Sequence, residues 1–307
     1  MNILDIPEDI LHYHICYSSY DVAKIFSSVC KKFNKLSKNY DGINKNIKDY
    51  FLQYIEHKVT NNNPLIYFMQ RAGYAYKEYE KYWINKFTKE REGKYMMFNK
   101  NHSIDTICYY KNNLIHGEYR SWHPNGQSHI KANYVNGKIE GTYKSWNKDK
   151  TYKELIPYTN NVIEGTYIRI YCKDGRKTER EEYTYVNGMK HGKYVRFYID
   201  DNTDVIIEEI GYKNNQREGI STVYWNNGKK KWECYYINNK EEGILNEWYC
   251  SGKKLSQGTY INGRLNGKYI VYWENGNKKK ECNFEMGCLN GDYTEWNEDG
   301  AITYPIN

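Results

Sequence analysis

The chain contains no run of about 18 apolar residues, the length that a membrane-crossing helix needs. Its opening, MNILDIPEDI, is neither a basic leader nor a long apolar one. No signal peptide and no transmembrane helix are expected. Cysteine pairs are also missing. The 8 Cys are scattered with no CxxC among them, which points to a reduced, intracellular, cytoplasmic protein. No GxxxxGK(S/T), HExxH or GxSxG occurs, and Cys282 and Cys288 have no His nearby. Acid pairs such as Glu181-Glu182 have no geometric claim to glycosidase chemistry. The chain is therefore expected to be no enzyme, with no catalytic, cofactor or metal site.

Aliphatic material is thin as well. Only 39% of the residues are hydrophobic, while 17% are aromatic, with 35 Tyr and 8 Trp. That composition suits a thin structure whose rings pack with polar tips in solvent better than a thick core. The net charge of +7 is a mild basic bias, compatible with acidic partners and not diagnostic of nucleic acid. Lys, Asn, Ile and Tyr are all abundant, as an A/T-rich coding sequence would produce.

What the chain has in plenty is one phrase. YVNGKIEGTYKSW from Tyr134 returns as YVNGMKHGKYVRF from Tyr185 and YINGRLNGKYIVY from Tyr260. The glycine ending each phrase falls at 93, 117, 141, 165, 192, 219, 243, 267 and 291, so the period is 24 residues, with two of 27. Seven residues before each glycine from Gly117 on stands an aromatic: Tyr110, Tyr134, Tyr158, Tyr185, Tyr212, Tyr236, Tyr260 and Phe284. Asn-Gly or Asn-Asn follows in all but the last copy, where Met286 replaces the Asn. These residue types tolerate the positive φ of tight hairpin turns. A second punctuation, NG, SG or DG, ends at Gly126, Gly228, Gly252, Gly276 and Gly300. Tyr/Trp/Val/Ile-rich runs between the turns read as strands. Each period thus predicts two strands and two turns. The second residue after the glycine is mostly Tyr and the fifth mostly aromatic, which predicts cross-strand ladders. The extra residues of the longer periods, at RKTEREE and IDDNTD, are expected to widen turns.

The phrase YxNGxxxGxYxxW at this period resembles the MORN repeat family in a variant form, over about residues 93–307. The resemblance implies a mainly β fold: an elongated single-layer antiparallel sheet of about eight 24-residue hairpin repeats. It names a fold and leaves function open, because the family serves in scaffolding, membrane-associated and antitoxin-like proteins.

Residues 1–92 follow another grammar. DIPEDILHYHI, DVAKIFSSVCKKFNKL, NIKDYFLQYIEHKV and PLIYFMQRAGYAYKEYEKYWINKF all allow helical apolar spacing. Three short helices are expected to about residue 40, forming a small all-α domain. A helical linker over 41–92 should then cap the first hairpin. The opening, with Leu4, then IPEDIL from Ile6, Asp21-Val22, then VCKKF from Val29, resembles an F-box. That resemblance implies docking to a Skp-type adaptor through Ile6, Pro7, Leu11, Ile15, Val29, Cys30 and Phe33, by helix-in-groove burial. The plainer alternative is that Leu11, Val29 and Phe33 form the module's own core.

Lys229, Lys230, Lys231, Lys253, Lys254, Lys278, Lys279 and Lys280 recur at nearly the repeat period. Stacked hairpins would align them as a basic column, which attracts anionic lipid or an acidic protein or simply keeps strand edges soluble. No specific nucleic acid is expected. His116 and His191 occupy the slot before a repeat glycine, which Glu140, Glu164, Glu218 and Glu242 fill elsewhere, and a solvated turn position explains them all. The two resemblances together imply an adaptor of a cullin ubiquitin ligase, with a Skp-type subunit on the helices and a target protein on the sheet. This pairing resembles proteins of large DNA viruses or protists, which would place it in the host cytoplasm if viral. The alternatives are a lipid-binding or partner-binding scaffold with a plain helical cap, and an antitoxin-like inhibitor.

Overall fold

A computed structural model describes residues 6, 10–16, 18–29, 31–40, 43–44, 46–58, 77–200 and 203–306. In it each Asn-Gly or Asn-Asn pair is a two-residue turn with both residues at positive φ, as at Asn136 (48°) and Gly137 (78°). This is the turn whose twist matches the flanking strands. Met286 adopts the same conformation at 51° without the side chain that favours it. The opposite ends of the strands are closed differently. The N–H of Gly228 donates to the Trp225 carbonyl and that of Trp225 to Lys229, and Gly228 itself is at positive φ. The ladder then shifts register beside the turn, so that Tyr224 faces Lys230 and Lys231 is the extra residue.

The repeat glycine lies directly opposite the aromatic of the following period: Gly117 opposite Tyr134, Gly141 opposite Tyr158, Gly243 opposite Tyr260 and Gly267 opposite Phe284. Its φ is positive in every copy. The glycine therefore sets a backbone conformation that a side chain would strain.

The chain divides into two compact units, Met1–Lys138 and Ile139–Asn307, and the division falls inside the repeat series. In each unit, strands pair with their sequence neighbours in antiparallel order. Lys254–Ile261, Arg264–Tyr272, Lys278–Glu285 and Cys288–Trp296 show the plan in the second unit. Among the described residues Leu52–Lys58 pairs only with Lys77–Asn85, and Ile302–Ile306 only with Cys288–Trp296. The fold is mainly β.

The extra residues of the long periods do not widen turns. They lengthen strands to Gly165–Lys173, Arg176–Val186, Met189–Asp200 and Thr203–Lys213, of 9, 11, 12 and 11 residues. Asp174-Gly175 is a tight positive-φ turn (50° and 77°) between the first two. A residue in the ladder gains cross-strand bonds that a residue in a loop lacks, and the alternating RKTEREEYTYV pattern can pair on both sides.

The first unit carries a helical module. Residues Ile10–Cys16 form a π-helical segment, followed by α1 (Tyr20–Val29) and α2 (Lys31–Lys38). The short α3 (Ile47–Phe51) is capped by the Asn46 side chain, which accepts from the Lys48 N–H. Leu11, Cys16, Ala23, Phe26, Phe33, Leu36, Phe51 and Leu52 share one core, with Trp83 of the sheet packed against it. Phe26 and Phe33 stack at 4.2 Å.

The expectation of a helical linker over 41–92 needs correction. Beyond α3 the chain is extended, with strands at Leu52–Lys58 and Lys77–Asn85, and residues 59–76 lie outside the described residues. Tyr, Ile and Trp in these runs fit a helical or a strand period equally. The open edge of Gly93–Asn99 decides between them, because Lys77–Asn85 satisfies its backbone groups. The first hairpin is shielded as anticipated, by strands and not by helix. No helix among the described residues is long and apolar enough to cross a membrane.

Candidate functional site

In each unit one face of the sheet carries a row of tyrosines. Where the second residue after a repeat glycine is Tyr, as at Tyr95, Tyr119, Tyr143, Tyr167 and Tyr269, its ring leans onto the aromatic opposite that glycine. Ring centroids are 5.6 Å apart for Tyr95 and Tyr110, 6.0 Å for Tyr143 and Tyr158, and 6.1 Å for Tyr269 and Phe284, each pair edge to face. Such contacts contribute about 0.5–1.5 kcal/mol beyond area burial. Directly opposite three of these tyrosines stand small residues: Cys108 faces Tyr95, Ala132 faces Tyr119, and Cys282 faces Tyr269. Flanking rings bury them almost fully, at 1%, 3% and 1% exposure. Burial pushes the Cys16, Cys108 and Cys234 thiols up to about 11, so they remain protonated packing groups. Burial likewise raises the Tyr183 and Tyr236 hydroxyls to about 12.

Beside the tyrosines, in the second unit, runs a row of charge. Glu154 lies opposite Arg169, Arg169 opposite Glu181, Glu181 opposite Arg196 and Arg196 opposite Glu208. Five adjacent strands thus alternate acid and base in strict register. The row then turns apolar, with Val223 opposite Glu208 and Trp232 opposite Val223. Glu154 accepts from Arg169 Nη2 at 2.7 Å, Tyr167 Oη at 2.7 Å and Ser145 Oγ at 2.9 Å. Burial opposes its charge, but these bonds outweigh it and hold the carboxyl below the usual glutamate range. Arg196 donates Nη2 to Glu179 at 2.6 Å and Nε at 3.0 Å. Glu208 has no hydrogen bond or ion pair among the described residues. Its carboxyl is pushed up by burial, which outweighs the opposing pull of Arg196 and Arg217 and is reinforced by Glu181.

Glu208 lines an open groove of about 560 Å³ together with Arg196, Val223, Tyr224, Trp225 and Lys231. The Lys231 ammonium sits 4.6 Å from the Trp225 ring centre. Sequence reading treated RKTEREE as loop and missed this row. The signal was present in the spacing, since Arg169 and Arg196, like Glu181 and Glu208, stand one long period apart.

The residue before most repeat glycines also has a task that the sequence reading did not assign. Glu140, Glu218 and Glu242 are half-buried acceptors for the N–H of Asn160, Asn238 and Asn262 in the next turn, and Glu164 serves Asn187. His116 Nδ1 receives the Asn136 N–H in the same way. All of these residue types are acceptors, which explains why Glu and His interchange there.

The eight lysines do not line up as one column. Lys230, Lys254 and Lys278 occupy equivalent ladder positions opposite Tyr224, Trp248 and Tyr272. Lys231 is displaced into a bulge, and Lys280 falls opposite Val271. Lys230 and Lys278 pair with Glu233 and Glu281. Lys254 donates to Gln257 and Lys229 to the Ser251 carbonyl. Lys231, Lys279 and Lys280 rest on Trp225, Trp273 and Tyr293. Lys253 stands exposed.

In the helical module Leu11 and Phe33 are core residues, at 0% and 2% exposure, and Ile6 and Ile15 pack against that core half-buried. Val29 is 61% exposed. Pro7 and Cys30 lie outside the described residues. Val22 and Ile25, which sequence reading did not single out, flank Val29 on the outer side of α1 at 36% and 65% exposure. Among the described residues no three His, Cys, Asp or Glu side chains are grouped to hold a metal ion.

No family model matches the chain, and no curated protein matches it. Among solved structures, a crystal structure of a protein of unknown function from Bacteroides caccae aligns with 76% of this chain and 90% of its own, at 11% identity and a TM-score of 0.16. An overlap that low carries no argument about fold or function.

Proposed function

We propose that the chain is a non-catalytic adaptor. Its N-terminal helices, which resemble an F-box, dock a Skp-type subunit of a cullin ubiquitin ligase, and its MORN-like sheet holds a target protein. The chemistry belongs to the partners, and this chain supplies proximity.

One observation carries the reading: α1 is apolar on two sides. Ala23 and Phe26 face the core, while Val22, Ile25 and Val29 form an outward stripe at i, i+3 and i+7. An exposed β-branched stripe on a ten-residue helix contributes nothing to the module's own core and suits a helix-binding groove. In this reading Leu11 and Phe33 act by holding α1 in place, and Val29 touches the adaptor.

The lipid alternative draws less support, since Lys230 and Lys278 are already paired with carboxylates. The test is binding of the full chain to a purified Skp-type adaptor. Wild type is expected to bind at micromolar affinity or better. Ile25→Asp/Val29→Asp should lose at least 100-fold with an unchanged β-sheet circular dichroism spectrum. No wild-type binding at tens of micromolar, or equal binding by the double variant, would sink the adaptor reading.

A further inference from the structure

The charge row is unbalanced. It holds three carboxylates, at Glu154, Glu181 and Glu208, and two guanidinium groups, at Arg169 and Arg196. Arg169 sits between the first two carboxylates, bonded to Glu154 and 3.9 Å from Glu181. Arg196 turns its guanidinium to Glu179. The excess charge therefore lies at the end of the row on Glu208, where the next strand places Val223 opposite it and Arg217 of that strand acts on it without forming an ion pair. The fold does not need this charge. The same row elsewhere holds Ser121 opposite Ile130 and Val271 opposite Lys280, and those hairpins form equally well. A half-buried carboxylate left without a partner is costly, and removing it would relieve the sheet.

The groove beside Glu208 already shows what it accepts. One wall is the Trp225 ring, and an ammonium, that of Lys231, lies against it. An anion entering the groove would meet the Glu208 charge, while of the two guanidinium groups that act on that charge Arg196 is held by Glu179 and Arg217 lies over the Tyr236 ring. A flat cation with several N–H donors fits both features, because it can pair with a carboxylate at its edge and stack on an indole by its face.

We propose that this groove binds an arginine side chain of the target protein, whose guanidinium pairs with Glu208, stacks on Trp225 and continues the alternation of the row by one more position. The proposal rests on the reading of the sheet as the target-binding part. It adds the face, the position and the chemical class of the anchor.

The probe is a set of acetylated, amidated hexapeptide pools, degenerate except for a fixed Arg, Lys or citrulline at the third position. Binding to the full chain is read by fluorescence polarisation. The Arg pool should bind at least tenfold more tightly than the citrulline pool, which keeps the shape and loses the charge. Glu208→Gln should erase that preference. Lys231→Met, which vacates the indole face, should keep the preference or strengthen it several-fold. Equal binding of Arg and citrulline pools, an undiminished preference in Glu208→Gln, or no binding up to about 1 mM would overturn the proposal. Loss of Arg binding in Lys231→Met would also overturn it and would mark the groove as an anion site. Adaptor binding through Ile25 and Val29 is measured separately, so failure of the groove and failure of the adaptor reading are distinguishable.

Discussion

Two glutamates four strands apart in one row respond oppositely to protons. Glu154 is held below the usual glutamate range by its hydrogen bonds, so its contribution to stability is full above about pH 4.5 and is lost as pH falls through the lowered value. Glu208 is pushed up, so the folded state takes its proton more readily than the unfolded chain does, and the ionised form weakens the fold at neutral pH. At pH 7, Glu154→Gln is expected to cost about 1–3 kcal/mol, and Glu208→Gln to add up to about 1 kcal/mol. Urea titrations at pH 7 and pH 4 check both. The Glu154→Gln penalty should shrink at the lower pH, and a loss of stability in Glu208→Gln at pH 7 would contradict the account. Neither behaviour was legible in the sequence. Composition shows that Arg and Glu are present, but only the register between strands says which carboxylate is flanked on both sides and which stands at the end.

Hairpins were the most legible level. Asn-Gly and Asn-Asn pairs located seven of the eight turns that follow the aromatic of the phrase, because positive φ is a requirement few residues meet. The run RKTEREE was misread as loop because its charges resemble solvated turn residues, whereas in the ladder they satisfy one another across strands. Leu52–Lys58 and Lys77–Asn85 were misread as helix, since local spacing did not reveal the open edge that recruits them. The turn rule also makes a forecast for the copy that breaks it. Met286 at φ 51° is strained where its sisters are Asn. Met286→Asn is expected to stabilise the second unit by about 0.5–1 kcal/mol. Slower amide exchange confined to Phe284–Leu289 and its neighbours would support this, and a neutral or negative change in the unfolding midpoint would refute it.

Across the molecule, the repeat behaves as a sum of neighbours. Hydrogen bonds that join hairpins span one period, as from the Asn239 N–H to the Arg217 carbonyl and from Trp273 Nε1 to the Trp296 carbonyl. Stability in such arrays is close to additive over units and interfaces. Excision of residues 244–267, one whole period joining Gly243 to Lys268, is therefore expected to leave a folded chain whose circular dichroism per residue is unchanged. Excision of residues 244–255, half a period, should abolish cooperative unfolding of the second unit, because it places a turn of one kind where the other is needed. Equal folding of the two deletions would contradict the neighbour account. The adaptor and target roles belong to this scale too, and they were the least legible. The resemblances suggested partners, while Ile25 beside Val29 and Glu208 beside Trp225 come together only in three dimensions.

The groups that accept from the backbone amides of each Asn-Gly or Asn-Asn turn are older in synthesis than those amides. The Arg217 carbonyl and the Glu218 carboxylate leave the ribosome about twenty residues before the amides of Asn239 and Asn238 that they receive. On this edge a growing chain can fix each turn against a hairpin already made, whereas turns at the opposite edge are tied by later residues, as Trp273 Nε1 is by the Trp296 carbonyl. Elongation itself sets the order of assembly at that edge, while the opposite edge is tied down one hairpin later.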